Sequence, residues 1–153
     1  MDALLNEKTE IKRFNIRVYG LVVNLHYEVL LSKETYQGHH FTKFPGGGLE
    51  YGEGIIDCLH REFKEELKVP IEVLGHFYTT DFFQPSAFLP SDQIISIYYR
   101  VKLLGEITLG KTNFDNHSHD FFWLPAAQLN ISHVNLPIDK IVIKLFQKFL
   151  QDA

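Results

Sequence analysis

The chain has 153 residues, enough for one domain with a substantial core, and an ordinary globular balance of 45% hydrophobic and 22% charged residues. The formal net charge of −4 argues against a binder of nucleic-acid polymers, which needs a basic face, but not against a small phosphorylated substrate whose charge a metal ion offsets. The single cysteine, Cys58, excludes an internal disulfide.

The segment Met1 to Arg13 mixes charges of both signs and lacks an apolar run, so it does not read as a signal peptide. No apolar stretch approaches the length of a membrane span. These features, with the lone thiol, point to a cytoplasmic setting. Phe14 to Leu25, rich in Ile, Val, Leu and aromatics, predicts a buried strand, and Val29 to Ser32 its hairpin partner after a turn near His26 and Tyr27. A polar loop, Ser32 to His40, leads to an apolar piece ending at Phe44. Pro45, Gly46, Gly47 and Gly48 then break regular structure, which implies close backbone approach or positive φ.

A helix is predicted from about Gly54 to Leu67, with Ile55, Ile56, Leu59, Phe63 and Leu67 at helical spacing and Pro70 as its stop. Strands follow at Ile71 to Phe83 and Gln93 to Leu104, separated by a loop with Pro85 and Pro90. A strand at Phe121 to Leu124 and a short helix at Pro125 to Leu129 precede a terminal helix from about Pro137. That last helix carries an apolar stripe from Ile138 to Phe149 and reads as core packing. The order implies an α+β fold, a mixed sheet covered by helices, over a single domain 1–153.

The informative feature is the acidic side of the first helix. Its apolar residues fill an arc of roughly 120°, and Glu62, Glu65 and Glu66 crowd an adjoining arc of roughly 100°. Glu62 and Glu66 stand at i, i+4, where like charges destabilise a helix, and they sit toward the unfavourable end of its dipole. Arg61 can offset Glu65 and Asp57, but this leaves the Glu62/Glu66 pair. A solvated face and a cation site both remain open on the helix alone. A hard divalent cation suits such carboxylates, and the glycine-rich loop just before them can add a carbonyl ligand and admit a phosphate.

Gly47 to Val69 reads GGLEYGEGIIDCLHREFKEELKV and resembles the Nudix box, G-x5-E-x7-R-E-U-x-E-E-x-G-U, where U is a bulky aliphatic residue. Gly47, Glu53, Arg61, Glu62, Glu65 and Glu66 match its fixed positions, an agreement expected by chance on the order of 10⁻⁷ to 10⁻⁸ per window. Phe63 replaces an aliphatic residue, and Lys68 stands where the family usually has Gly, with Pro70 expected to end the helix instead. The resemblance implies a Nudix-like α/β/α sandwich with a mixed β-sheet. It implies Glu62, Glu65, Glu66 and the Gly46 carbonyl as metal ligands, for Mg²⁺ or alternatively Mn²⁺. It also implies that Glu53 and Arg61 pair to brace the loop and helix.

The implied reaction is attack of an activated water on a phosphoanhydride, with a carboxylate accepting its proton. That base lies either in the box, at Glu62 or Glu66, or on a later loop. Asp120, in HSHDFFWLP beside His117 and His119, is the later candidate and equally reads as a solvated residue. Pro85, sixteen residues beyond Val69, resembles a marker of members acting on ADP-ribose and nucleoside diphosphate sugars, and equally reads as a turn proline. Phe82, Phe83, Phe41 and Tyr36 offer aromatic walls for a base, and Lys43 or Arg17 a phosphate contact. The expected substrate is therefore a small nucleoside diphosphate derivative. The alternatives are a (d)NTP pyrophosphohydrolase or a non-catalytic nucleotide sensor, and the intact carboxylates argue against the sensor. Strand edges and the terminal helix leave room for a homodimer.

Overall fold

The computed structural model describes residues 10–114 and 117–153. Most of the segment read as lacking a signal peptide, Met1 to Thr9, lies outside the described residues. None of the helices in the described residues is long and apolar enough to cross a membrane.

The strands are β1 (Arg13–Val22), β2 (Glu28–Tyr36), β3 (His39–Lys43), β4 (Gly46–Gly48), β5 (Ile71–Thr79), β6 (Asp92–Leu103), β7 (Gly110–Phe114) and β8 (His117–Pro125). The helices are α1 (Ile55–Leu67) and α2 (Pro137–Asp152). One sheet has the order β4-β1-β6-β5 and is mixed, with β1 parallel to β6 and antiparallel to β4. The other has the order β3-β2-β8-β7 and is antiparallel throughout.

The expected β1–β2 hairpin is not formed. The turn exists, with the Asn24 N–H donating to the Glu28 carbonyl at 3.0 Å, but Val23 and Val29 make only one isolated bridge. Both edges of β1 are already taken, by β4 and β6, so β2 leaves for the second sheet. Four further strands differ from expectation. The second half of β2 and the start of β3 occupy the predicted polar loop, β7 is an added strand, and β8 begins at His117 rather than Phe121. The short helix at Pro125 to Leu129 is a single 3-10 turn, Ala126–Gln128.

The strands send alternate residues to two cores. Val18 and Val22 of β1 and Leu30 of β2 join Leu59, Phe63 and Leu67 of α1. Tyr19 and Leu21 of β1 and Val29 and Leu31 of β2 join Val142, Ile143 and Phe146 of α2. The helices thus cover opposite faces of the strand layer, the expected α/β/α sandwich. Phe63, the aromatic departure from the box, fits because β1 passes it at Gly20, where a Cβ would lie 2.6 Å from the ring.

Candidate active site

The site begins where β4 hands over to α1. Gly46 has φ 144°, and a Cβ there would lie 2.1 Å from the Val18 carbonyl oxygen, so only glycine fits. This places the β4 backbone against α1. At Gly47 a Cβ would lie 2.4 Å from Glu62 Oε1, so the bare backbone leaves room for that carboxylate. α1 starts with the Gly54 N–H donating to Asp57 Oδ2 at 2.9 Å, which occupies the acid thought available to Arg61. It ends at Leu67, the expected boundary, but the residue that closes it is Lys68, in the left-handed conformation at φ 55°, ψ 37°, rather than Pro70.

Arg61 gathers the predicted residues. Its Nε and Nη2 donate to the two Glu53 oxygens at 2.9 and 2.7 Å, a bidentate pair, and Nη2 also donates to the Gly48 carbonyl at 2.9 Å. Nη1 donates to Glu62 Oε1 at 3.1 Å and Glu65 Oε2 at 3.2 Å. That pairing holds the Glu53 carboxyl down at about 2. Loop and helix are thereby fastened by one guanidinium. The three glutamates are not equivalent: the Glu65 side chain is 58% exposed, whereas Glu62 and Glu66 are 11% and 16% exposed. Burial pushes the Glu66 carboxyl up, and the neighbouring Glu62 and Glu34 charges add to this against the opposing pull of Lys43. The Glu62 and Glu66 carboxylates lie close enough that a second negative charge is poorly tolerated, and such a set of oxygen ligands fits a hard divalent cation.

Lys43 is buried beside this set. Its Nζ donates to the Gly46 carbonyl at 3.1 Å and the Phe44 carbonyl at 3.2 Å, and lies 2.9 Å from Glu34 Oε2. Burial opposes its charge, but Glu34 outweighs this and holds the ammonium above its ordinary range. The Gly46 carbonyl keeps a second lone pair for a cation. Glu34 faces His117 and His119 across the β2–β8 ladder, and His119 Nε2 lies 3.9 Å from Glu66 Oε1. Glu34 was not singled out in the sequence, where nothing separates it from other strand-edge acids. Asp120 is exposed and pairs in register with Lys33, on the face opposite His119. It is not brought to the glutamates.

Next to Lys43 and Glu34 opens a cavity of about 410 Å³ between the sheets and the start of α2. Arg17, Lys43 and Pro85 line it, but Phe83 does not, and it is 59% exposed. Of the other proposed aromatics, Tyr36 and Phe41 line the cavity and pack against Phe88, with ring centroids 6.0 and 5.1 Å away. Arg17 donates from Nε to the Tyr19 hydroxyl at 3.0 Å, and no carboxylate lies within ion-pair distance of it among the described residues. Across the cavity, Asp139 accepts from the Tyr98 hydroxyl at 2.5 Å through Oδ1, while its buried Oδ2 has no partner. Neither was foreseen: Asp139 sits in the apolar stripe of the last helix, and only its position in the first helical turn marks it. The chamber is therefore lined by the Arg17 and Lys43 cations, the Tyr36 and Phe41 rings and the Asp139 acceptor.

The family model described as NUDIX domain matches residues 13–146. An RNA pyrophosphohydrolase from a Nitratiruptor species is 29% identical over 114 residues, 69% of this chain and 74% of that protein. The solution structure of the E. coli ORF135 protein superposes with a TM-score of 0.70 at 17% identity, covering 90% of this chain and 91% of that one. The MutT NUDIX hydrolase from Burkholderia pseudomallei gives a TM-score of 0.70 at 15% identity, covering 88% and 98%.

Proposed function

The chain belongs to the NUDIX domain family and is a pyrophosphohydrolase of acid anhydrides, and from that premise we propose that it cleaves a nucleoside diphosphate derivative, of the ADP-ribose or nucleoside diphosphate sugar kind, with Mg²⁺. The observation that carries this reading is that Glu34 and Lys43, which line the chamber, also reach the box: Lys43 donates to the Gly46 carbonyl, and Glu34 faces His119, which lies 3.9 Å from Glu66.

Glu62, Glu66 and the Gly46 carbonyl would hold the divalent ion, with Glu65 at the rim. When bound, such ions neutralise phosphate oxygens and make the attacking water more acidic. Arg61 fixes Glu62 and Glu65 in place through the Glu53 brace. Arg17, lining the chamber, orients the diphosphate, whereas Lys43 directs its three donors to Glu34, Phe44 and Gly46. Tyr36 and Phe41 stack on the base, and Asp139 Oδ2 accepts from its amino group. Pro85, bridged to Gln93, forms part of the rim. Glu66, beside Glu62 on α1 and 3.9 Å from His119 Nε2, accepts the proton of the attacking water. Asp120, turned to the other face of the sheet, takes no part.

A substrate panel tests this. ADP-ribose, nucleoside diphosphate sugars, (d)NTPs and 5′-triphosphorylated RNA are incubated with Mg²⁺, and nucleoside monophosphate, phosphate and pyrophosphate are resolved. Nucleoside monophosphate released from ADP-ribose or a nucleotide sugar is the expected product. Turnover of the triphosphates or RNA alone would overturn the substrate class, and nucleotide binding without turnover of any compound would overturn the enzyme reading.

A further inference from the structure

The fold brings together three residues that the box does not contain. His117 and His119 stand at i and i+2 on β8, so both turn to one face, and Glu34 on β2 is the register partner of His119. A carboxylate oxygen of Glu34 and one ring nitrogen from each histidine lie within 4.8 Å of one another. His117 Nε2 is 2.7 Å from Glu34 Oε1, and His119 Nδ1 is 3.4 Å from Glu34 Oε2. The two imidazoles lie side by side with centroids 4.1 Å apart.

A second observation is independent of this clustering. His119 Nδ1 is buried with no hydrogen bond of acceptable geometry, and it faces the fully buried Glu34 side chain, whose Oε2 is paired with Lys43 Nζ at 2.9 Å. Buried polar atoms rarely stay unsatisfied. His119 Nδ1 and Glu34 Oε2, 3.4 Å apart, are too distant for a good N–H···O bond. They match the separation of roughly 3.0–3.4 Å between neighbouring ligands on one metal with bonds of about 2.0–2.1 Å. Lys43 does not remove this capacity, because a carboxylate offers about four lone-pair sites.

We infer that Glu34, His117 and His119 form a second metal site, separate from the glutamates of α1, for a divalent ion of borderline softness such as Zn²⁺ or Co²⁺. Two imidazoles and one carboxylate suit those ions, whereas Mg²⁺ prefers oxygen ligands throughout. A ligating imidazole commonly donates its other N–H to a carboxylate, and His119 Nε2 points to Glu66 Oε1 at 3.9 Å. Occupancy would therefore orient Glu66 as well. The site itself requires nothing of the reaction proposed above.

The test is a Co²⁺ titration of the whole protein in excess Mg²⁺, followed by visible d–d absorption and by histidine ring NMR signals. One equivalent should bind with nitrogen ligation, and should still bind to Glu62→Gln. Affinity should fall on the order of 10- to 100-fold or more in both His117→Ala and His119→Ala. Circular dichroism checks their folding, and His117→Gln, closer in shape, replaces a variant that fails it. Equal affinity in wild type and the histidine variants, binding lost in Glu62→Gln alone, or no Co²⁺ binding over excess Mg²⁺ would each overturn the site.

Discussion

Asp139 shows how one side chain ties the chamber to pH. Burial pushes its carboxyl from an ordinary 3.8 up to about 6, outweighing the hydrogen bond from Tyr98. Between those values the native state holds a proton that the unfolded state has released, so stability is full below about pH 4 and falls as pH rises through about 6. The difference amounts to about 3 kcal/mol. Chemical denaturation of wild type and Asp139→Asn should therefore show the wild type losing about that much relative to the variant between about pH 4 and about pH 7. Parallel pH profiles would show that Asp139 is not held protonated. The part of the site carried by the box, Glu53 in the loop and Arg61, Glu62, Glu65 and Glu66 on α1, is legible in the sequence because local spacing fixes it. Glu34, His117, His119 and Asp139 are not, because they meet only through the β2–β8 register and the docking of α2. The alternation of His117 and His119 was visible, but it carries meaning only on a strand, and the segment read as a loop.

At the level of elements, α1 is readable because its apolar period and the glycines before it agree, and the end that looked doubtful is resolved by Lys68. This lysine adopts φ 55°, ψ 37° and its N–H donates to the Lys64 carbonyl, the closing geometry usually given to glycine. A side chain there costs roughly 1–2 kcal/mol. Lys68→Gly should raise stability by about 1 kcal/mol and the melting temperature by roughly 2–4 °C. A lower melting temperature would mean that the exposed bond from Lys68 Nζ to the Glu65 carbonyl outweighs that strain. β3 and β7 escape sequence reading for a different reason. His39, His40, Thr42, Lys111, Thr112 and Asn113 carry no apolar alternation, so only pairing to β2 and β8 makes these segments strands. One local signal did exist: Gln37 and Gly38, at φ 48° and 79°, form the two-residue turn with both φ positive that closes a tight hairpin.

Across the whole molecule, two sheets lie between two helices, with the glutamates on α1 and the chamber lined by both sheets and the start of α2. Lys43, Glu34 and His119 connect the two. Fold class and box were readable from local pattern. The parallel β1–β6 pairing and the departure of β2 into a second sheet were not, since both depend on which strand edges are already filled. The central claim is that the crowded carboxylates exist for divalent cations and the hydrolysis they support. Its most direct test compares wild type, Glu66→Gln and Asp120→Asn in turnover of the best panel substrate at saturating Mg²⁺, with folding checked in each. Glu66→Gln should stay folded and lose about 10²- to 10⁴-fold in rate, while Asp120→Asn loses less than about tenfold. Full turnover by folded Glu66→Gln would contradict the role given to the glutamates.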